Sequence, residues 1–377
     1  MKVNVNLLKF FVLALILGSC FDEEDIIEVE EGDNPVHTQL FSQIKAVDDA
    51  LIEEAIWPGY TLADKPMYLI RKNEEDDTYE GYVVNPQSTI MGAVAIPDEE
   101  SAGLNVVRYD TQAKEAFNLI MGSEGNGTYD FDFTIDENSV YYIQVYTDEE
   151  VTAGRRLATY PGGFFNPDMQ VLGSIDFIVH EIFHIYQEDW ASYGPSLIPS
   201  PNQQYYEYKS LVHQIFKDFP NGNLNTVQLE EKLKQYVAIR SAENVITGTD
   251  ITSDGEKGEG TARYMEKIAL RNAFSARANE PFIFGSVTDD DYGITNQEIL
   301  LLVLENLQYE TGSSAYLALK EFVPDIKTQI EEGKNQFEIA EAYFNMSQAE
   351  LDQQLQNAKA SVDFAKIQRK AAEWMNL

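Results

Sequence analysis

Two histidines and a glutamate in the stretch His180-Glu181-Ile182-Phe183-His184 have the types and spacing of a metal-dependent hydrolytic site. The chain has only four histidines, and two of them stand here, four residues apart. On an α-helix such residues lie one turn apart on one face, so both imidazoles can point at one tetrahedral Zn²⁺. Glu181 follows His180 directly, so on a helix it is turned about 100° around the axis from that first ligand. There its carboxylate can take a proton from a water molecule on the metal.

A catalytic zinc site needs a third protein ligand. The extended motif HExxHxxGxxH fails here, because Gln187 and Trp190 occupy the positions of its glycine and third histidine. The remaining histidines are His37, in an N-terminal tether, and His213, in a helical pattern. We therefore expect an acidic third ligand.

Glu259 is the acidic candidate, in a helical pattern that begins near Glu256. The small residues Gly260 and Ala262 beside it would let this helix approach the HExxH helix closely. Glu256 and Glu266 stay open as alternatives, since they lie on or near the same helix face.

The combined pattern resembles a group of bacterial zinc peptidases of the gluzincin type. It consists of HExxHxxQ, ending at Gln187, and of Glu259-Gly-x-Ala-x-Tyr264 further along the chain. In such proteins the glutamate of the EGxAxY motif is the third metal ligand, so the resemblance favours Glu259. It also implies a zincin-like α+β fold, a Zn²⁺ cofactor and a peptide or protein substrate.

The resemblance covers about residues 170–325 and weakly includes two turns, Trp57–Tyr60 and Tyr309–Gly312. It departs from the thermolysin-like pattern, in which the acidic ligand follows soon after HExxH and an aspartate stands four residues later. Here the gap is long, and Arg263 occupies that later position.

Hydrolysis by this chemistry also needs a hydrogen-bond donor for the developing oxyanion. Tyr264, Arg263 and Tyr309 qualify by type, and we take the two tyrosines as the catalytic candidates. Gln187 lies two turns after the first motif histidine on the same face, where it either lines the pocket, orients a ligand or is solvated.

The N-terminus predicts export and a lipid anchor. Lys2 and Lys9 precede an apolar run, residues 10–17, which is too short to span a bilayer and is followed by Gly18-Ser19-Cys20. This pattern resembles a bacterial lipobox, which implies lipidation of Cys20, the only cysteine. The alternatives are an ordinary secretory signal and a buried hydrophobic segment. A lone cysteine excludes an intrachain disulfide.

The acidic residues after Cys20 resemble a surface-export signal of some Gram-negative lipoproteins. We therefore expect an outer-membrane lipoprotein at the cell surface, with a periplasm-facing protein as the alternative. With 27 basic and 63 acidic residues the net charge is −36. This charge argues against nucleic acid as a partner, because such binding depends on neutralising phosphates. It favours cationic ligands.

Hydrophobic periodicity divides the chain into a signal peptide at 1–19, an acidic tether at 20–38, an α+β lobe at 39–190 and a helical lobe at 191–377. In the α+β lobe we expect helices at 39–56, 112–121 and 170–190, and strands at 67–71, 79–84, 90–96, 104–109, 129–134 and 140–146. In the helical lobe we expect helices at 203–219, 227–245, 256–278, 296–309, 313–332 and 336–374, the last broken near Asn345.

Two classes of function fit these observations. The first is a membrane-anchored extracytoplasmic zinc metallopeptidase, with His180, His184 and Glu259 as ligands and Glu181 as the base. The second is a surface-exposed binding lipoprotein with a structural or inactive metal site. The intact Glu181 favours the enzyme, because a purely structural site has no use for a base.

Overall fold

The structure is a computed structural model that describes residues 36–62, 64–73, 78–121, 133–135, 138–140, 142–146, 148, 151, 174–191, 202–217, 224–248, 253–278, 286–288 and 294–377. The expected signal peptide, the expected lipidation site Cys20 and most of the expected acidic tether lie outside these residues. Among the helices that are described, none combines the length and the apolar content needed to cross a membrane.

The chain divides into two compact units. The first comprises residues 1–160, 170–186 and 268–278, and the second comprises 161–169, 187–267 and 279–377. The sequence prediction placed everything after residue 190 in one lobe, whereas 268–278 falls in the first unit.

The first unit is α+β. Its described elements are helices α1 (Val36–Glu53), α2 (Asp98–Ser101), α3 (Ala113–Met121) and α4 (Ser174–Tyr186), and strands β1 (Met67–Asn73), β2 (Thr78–Val84), β3 (Val94–Ala95), β4 (Val106–Arg108), β5 (Thr134–Ile135), β6 (Asn138–Ser139) and β7 (Tyr142–Tyr146).

A five-stranded mixed sheet, in the order β3-β4-β2-β1-β7, is the centre of this unit. Described neighbours are antiparallel except β1 and β7, which run parallel. Residues 67–70 of β1 are all fully buried, as expected for a strand covered on both faces. Ala113 of α3 packs on one face. On the other face Phe41 of α1 meets Tyr82 edge-on, with ring centroids 5.5 Å apart.

Several predicted elements of this unit are confirmed with shifted ends. The strands expected at 67–71 and 79–84 are β1 and β2, and the first helix begins at Val36, inside the expected tether. The strand expected at 90–96 shrinks to β3, because the chain turns at Gly92, which has a φ of +83°. Most of the strand expected at 129–134 lies outside the described residues.

The second unit is helical in its described part. Its elements are α5 (Gln203–Phe216), α6 (Thr226–Thr247), α7 (Ser253–Ala273, whose end from Ile268 belongs to the first unit), α8 (Gln297–Leu319), α9 (Ile326–Glu331), α10 (Gln336–Phe344), α11 (Gln348–Ala360) and α12 (Phe364–Trp374). A short 3-10 turn, Ser275–Arg277, follows α7.

Side-chain caps set several helix ends in this unit. Reciprocal capping boxes begin α6 at Asn225 with Gln228 and α10 at Asn335 with Glu338. Asn345, in the left-handed region at φ +43°, ends α10. The break predicted near Asn345 is therefore confirmed.

The turn expected at Tyr309–Gly312 is wrong, because α8 runs without interruption through these residues. Gly312 has no side chain, which lets α7 cross α8 closely: a Cβ on Gly260 would lie 2.6 Å from the Gly312 Cα. The prediction that Gly260 faces the HExxH helix is thereby corrected, since its nearest neighbours belong to α8.

Candidate metal centre

The HExxH stretch lies on α4, which confirms the helix predicted for it. Ile182 and Phe183, inside the motif, are fully buried. The polar members are also nearly buried, with exposed fractions of 6 % for His180, 9 % for Glu181 and 4 % for His184. Polar groups in so dry a setting need polar partners or a ligand.

Aromatic packing fixes the position of α4. Phe183 receives Trp57 and Tyr60 edge-on, each with ring centroids 5.1 Å apart, and Tyr60 also meets Tyr186 at 5.3 Å. Gly59, at φ +90°, makes the turn that places both aromatic residues. Burial raises the pKa of Tyr60 well above its ordinary value. The Trp57–Tyr60 stretch therefore supports the motif helix by packing.

The two motif histidines converge. The Nε2 atoms of His180 and His184 are 3.1 Å apart, and the rings stand nearly perpendicular at 85°. Two nitrogens bound to one tetrahedral zinc at about 2.05 Å lie about 3.3 Å apart. The observed separation is therefore close to the one that a shared ion requires.

Glu259 is the acidic residue that completes a candidate ligand set. It lies on α7, with a half-buried side chain. One ligand atom each from His180, His184 and Glu259 can be chosen so that all three lie within 4.8 Å of one another. Two imidazole nitrogens and one carboxylate oxygen form a donor set that zinc takes in catalytic sites.

The alternative ligand Glu256 is engaged elsewhere. It is fully buried, and its carboxylate accepts hydrogen bonds from Tyr236, at 2.6 Å, and from Arg240 and Thr311. Both oxygens are therefore used inside the helical unit. This arrangement ties α6, α7 and α8 together.

The other alternative, Glu266, is also fully buried and engaged. Arg263 donates to both of its carboxylate oxygens, at 2.6 and 2.9 Å, and Lys267 lies 3.8 Å away. Arg263 stands where the thermolysin-like pattern has an aspartate. Here it neutralises the charge of Glu266 on its own helix.

The two remaining histidines serve other contacts. The Nδ1 of His37, in α1, is 3.1 Å from the Tyr82 hydroxyl, and burial lowers the pKa of this imidazole. His213, fully buried in α5, pairs its Nε2 with Glu310 Oε2 at 2.6 Å. Neither belongs to the group formed with Glu259.

Gln187 makes a specific contact that the sequence left open. It directly follows α4, three residues after His184, and is fully buried. Its Nε2 donates to the Gly258 carbonyl oxygen at 3.0 Å and to the Thr261 hydroxyl. These two partners stand on either side of Glu259 in the sequence. Because Gln187 is fully buried and hydrogen-bonded, the interpretation of it as a solvated residue is wrong.

Asp176 is a residue at this site that sequence reasoning missed. It lies one turn before His180 on the same helix face, is fully buried, and forms a two-pronged ion pair with Arg277. The sequence feature that could have identified it is its spacing: Asp176, His180 and His184 are four residues apart in turn, which places all three on one face of a helix.

The two candidate tyrosines have different surroundings. Tyr264 is fully buried, accepts a hydrogen bond from Lys320 at 2.9 Å and packs against the Tyr316 ring at 4.5 Å. It stands five residues after Glu259, about 140° around the helix, and so faces away from it. Tyr309, on α8, is only partly buried.

The residues that can do chemistry are therefore a buried histidine pair, an adjacent carboxylate and Glu259. Comparison of this chain with protein families, curated proteins and solved structures finds no match.

Proposed function

We propose that this protein is a zinc-dependent hydrolase of zincin-like fold that cleaves peptide bonds. The observation that carries the proposal is the set of converging ligand atoms from His180, His184 and Glu259, with Glu181 beside them. The exclusion of the two alternatives supports Glu259, because the carboxylates of Glu256 and Glu266 are paired with Arg240 and Arg263.

The donor set fits the metal. His180, His184 and Glu259 would hold Zn²⁺ and leave one of its four positions open, as catalytic sites require. Bound Zn²⁺ would supply Lewis acidity, which polarises a carbonyl group and lowers the pKa of water.

Glu181 would act as the general base and then as the general acid. Its carboxylate follows the first ligand in sequence and is 9 % exposed, so it keeps contact with the outside of a mostly dry site. One carboxylate oxygen would accept the proton of the attacking water and then deliver it to the leaving amide nitrogen. A buried carboxylate suits both transfers because surrounding water does not compete for the proton.

Tyr309 is the candidate that we assign as donor to the developing oxyanion. Its side chain is partly exposed, whereas Tyr264 is fully buried with its hydroxyl engaged by Lys320. Tyr309 also stands one turn before Gly312, whose backbone lies against Gly260, the residue that follows Glu259.

We further propose that a lipid on Cys20 anchors the protein to the outer membrane, facing outward. The support is the lipobox-like stretch before Cys20 and the acidic residues after it. The substrate would then be an extracytoplasmic peptide or protein, and the net charge of −36 favours cationic segments.

Elemental analysis of the purified full-length protein tests the function. We expect about one zinc per chain, lost in His184→Ala and Glu259→Ala but retained in Glu181→Gln. Peptide hydrolysis should disappear in all three variants. Zinc without hydrolysis in the wild type would favour the binding lipoprotein, and no zinc after metal-replete purification would overturn the proposal.

A further inference from the structure

The side-chain amide of Gln187 joins the end of the motif helix to the helix that carries Glu259. Its Nε2 has two protons, and both are used: one reaches the Gly258 carbonyl and the other the Thr261 hydroxyl. The Thr261 hydroxyl in turn donates to the carbonyl of Lys257, so the chain of hydrogen bonds ends on the α7 backbone.

The Gln187 hydrogen bonds reach α7 next to Glu259. Gly258 and Thr261 stand on either side of Glu259 along α7. His184 stands three residues before Gln187 in the sequence. A shift of α7 along its axis would separate the amide from both partners. Because Gln187 and Thr261 are fully buried, water would not replace the lost bonds.

We propose that Gln187 is a positioning residue: by holding the α7 backbone on either side of Glu259, it sets the distance of that carboxylate from the two histidines. The inference rests on the proposed function, since it concerns affinity for the metal. Partners that orient metal ligands are worth about 10- to 100-fold in metal affinity. Gln187 would act through α7 without touching the metal.

A matched control contacts the same helix, α7, from another part of the chain. Gln336 is also fully buried, and its Nε2 donates to a carbonyl of α7, that of Glu256, at 2.8 Å. It belongs to α10, whereas Gln187 directly follows the helix that carries the two histidines. If Gln187 mattered only for packing, replacing Gln336 would have the same consequence.

The experiment compares Gln187→Met, Thr261→Val, the double variant and Gln336→Met as full chains. Zinc Kd is measured by chelator competition, the visible spectrum of the Co²⁺-loaded protein reports the ligand geometry, and unfolding midpoints are measured without metal. Methionine keeps the length of glutamine, and valine keeps the shape of threonine.

We expect Gln187→Met to raise the zinc Kd by about 10-fold or more and to change the Co²⁺ spectrum. Thr261→Val should weaken zinc binding as well, because it removes one of the two bonds of Gln187. The double variant should bind zinc about as tightly as Gln187→Met alone, because that change already removes the bond to Thr261. Gln336→Met should lower the unfolding midpoint while leaving the zinc Kd within about twofold of the wild type.

Three results would overturn the inference. A wild type that binds zinc together with a Gln187→Met protein of equal affinity would remove the role of Gln187 and leave the proposed function standing. An equal loss in Gln336→Met would assign the effect to general loosening of α7. A wild type that binds neither Zn²⁺ nor Co²⁺ would end both proposals.

Discussion

Arg277 donates two hydrogen bonds to Asp176, from Nη1 to Oδ2 at 2.9 Å and from Nη2 to Oδ1 at 2.6 Å. Both side chains are buried, and Asp176 stands one turn before His180. The pair therefore joins the start of α4 to the 3-10 turn after α7. Gln187 makes a corresponding contact at the other end of the motif helix.

Asp176→Asn should lower the free energy of unfolding by about 3–5 kcal/mol, because the charge of Arg277 would stay buried without its counter-ion. Chemical denaturation of the metal-free protein measures this change. Replacing both partners, by Asp176→Leu with Arg277→Met, should cost less than the single change. A single variant as stable as the wild type would show that the pair does not secure α4.

The motif helix and the central strands were readable from the sequence because their signals are local. Helical spacing places His180 and His184 on one face, and an apolar run marks β1. The partner of Asp176 was not readable, since Arg277 stands 101 residues away. A buried acid and a distant arginine have no pattern that links them in a single sequence.

The choice among the three glutamates of α7 shows the same limit. Glu256, Glu259 and Glu266 look alike in sequence, and spacing alone does not distinguish a ligand from a structural carboxylate. The partners that engage Glu256 come from α6 and α8, so only the fold identifies them. Gly312 led to the wrong prediction of a turn at Tyr309–Gly312, because glycine often marks a turn in a sequence. Here it permits a close crossing of α7 and α8.

Gly260→Ala should destabilise the protein although alanine is the better helix former. The new Cβ would meet the Gly312 backbone at 2.6 Å, and backbone atoms cannot move aside cheaply. Overpacking of this kind costs about 1–3 kcal/mol. We also expect weaker zinc binding, because Glu259 is the adjacent residue. Thermal unfolding and zinc titration are the measurements.

Gly255→Ala is the control for this change. It lies in the same helix, and the three atoms nearest to its new Cβ would belong to the end of the Gln308 side chain, which can rotate away. It should therefore change stability much less than Gly260→Ala. Equal effects of the two substitutions would argue against the close crossing at Gly312.

Tyr309→Phe should reduce kcat by about 10²- to 10³-fold without loss of zinc, if its hydroxyl stabilises the oxyanion. Tyr264→Phe should leave kcat nearly unchanged and lower stability by about 1 kcal/mol, because it removes the hydrogen bond from Lys320. Steady-state kinetics on a cleaved peptide and zinc analysis separate the two. A large loss of kcat in Tyr264→Phe alone would reverse the assignment.

Lys209 belongs to a buried charge network in the helical unit. Its Nζ lies 3.6 Å from Glu243, which Arg240 also contacts, and Arg240 in turn pairs with Glu256. Burial is the main cause that lowers the pKa of Lys209 from 10.5 to about 8, and the neighbouring arginine adds to it. The folded protein therefore releases this proton at a lower pH than the unfolded chain does.

The free energy of unfolding should consequently rise between about pH 8 and pH 10, with a slope of at most about 1.4 kcal/mol per pH unit. In this range the unfolded chain holds a proton that folded Lys209 has lost, so unfolding takes up a proton and a higher pH opposes it. Above pH 10 the tyrosines reverse the trend, because burial raises the pKa of Tyr68 and Tyr82 in the folded protein.

Lys209→Met tests this origin of the slope. Urea denaturation of the metal-free protein at several pH values from 7.5 to about 10 should show a rise in the wild type that the variant lacks. The same substitution at Lys234, whose side chain is 30 % exposed in the same unit, should leave the rise in place. If Lys209→Met keeps the wild-type slope, another group takes up the proton on unfolding, and the buried network does not hold Lys209 in its neutral form.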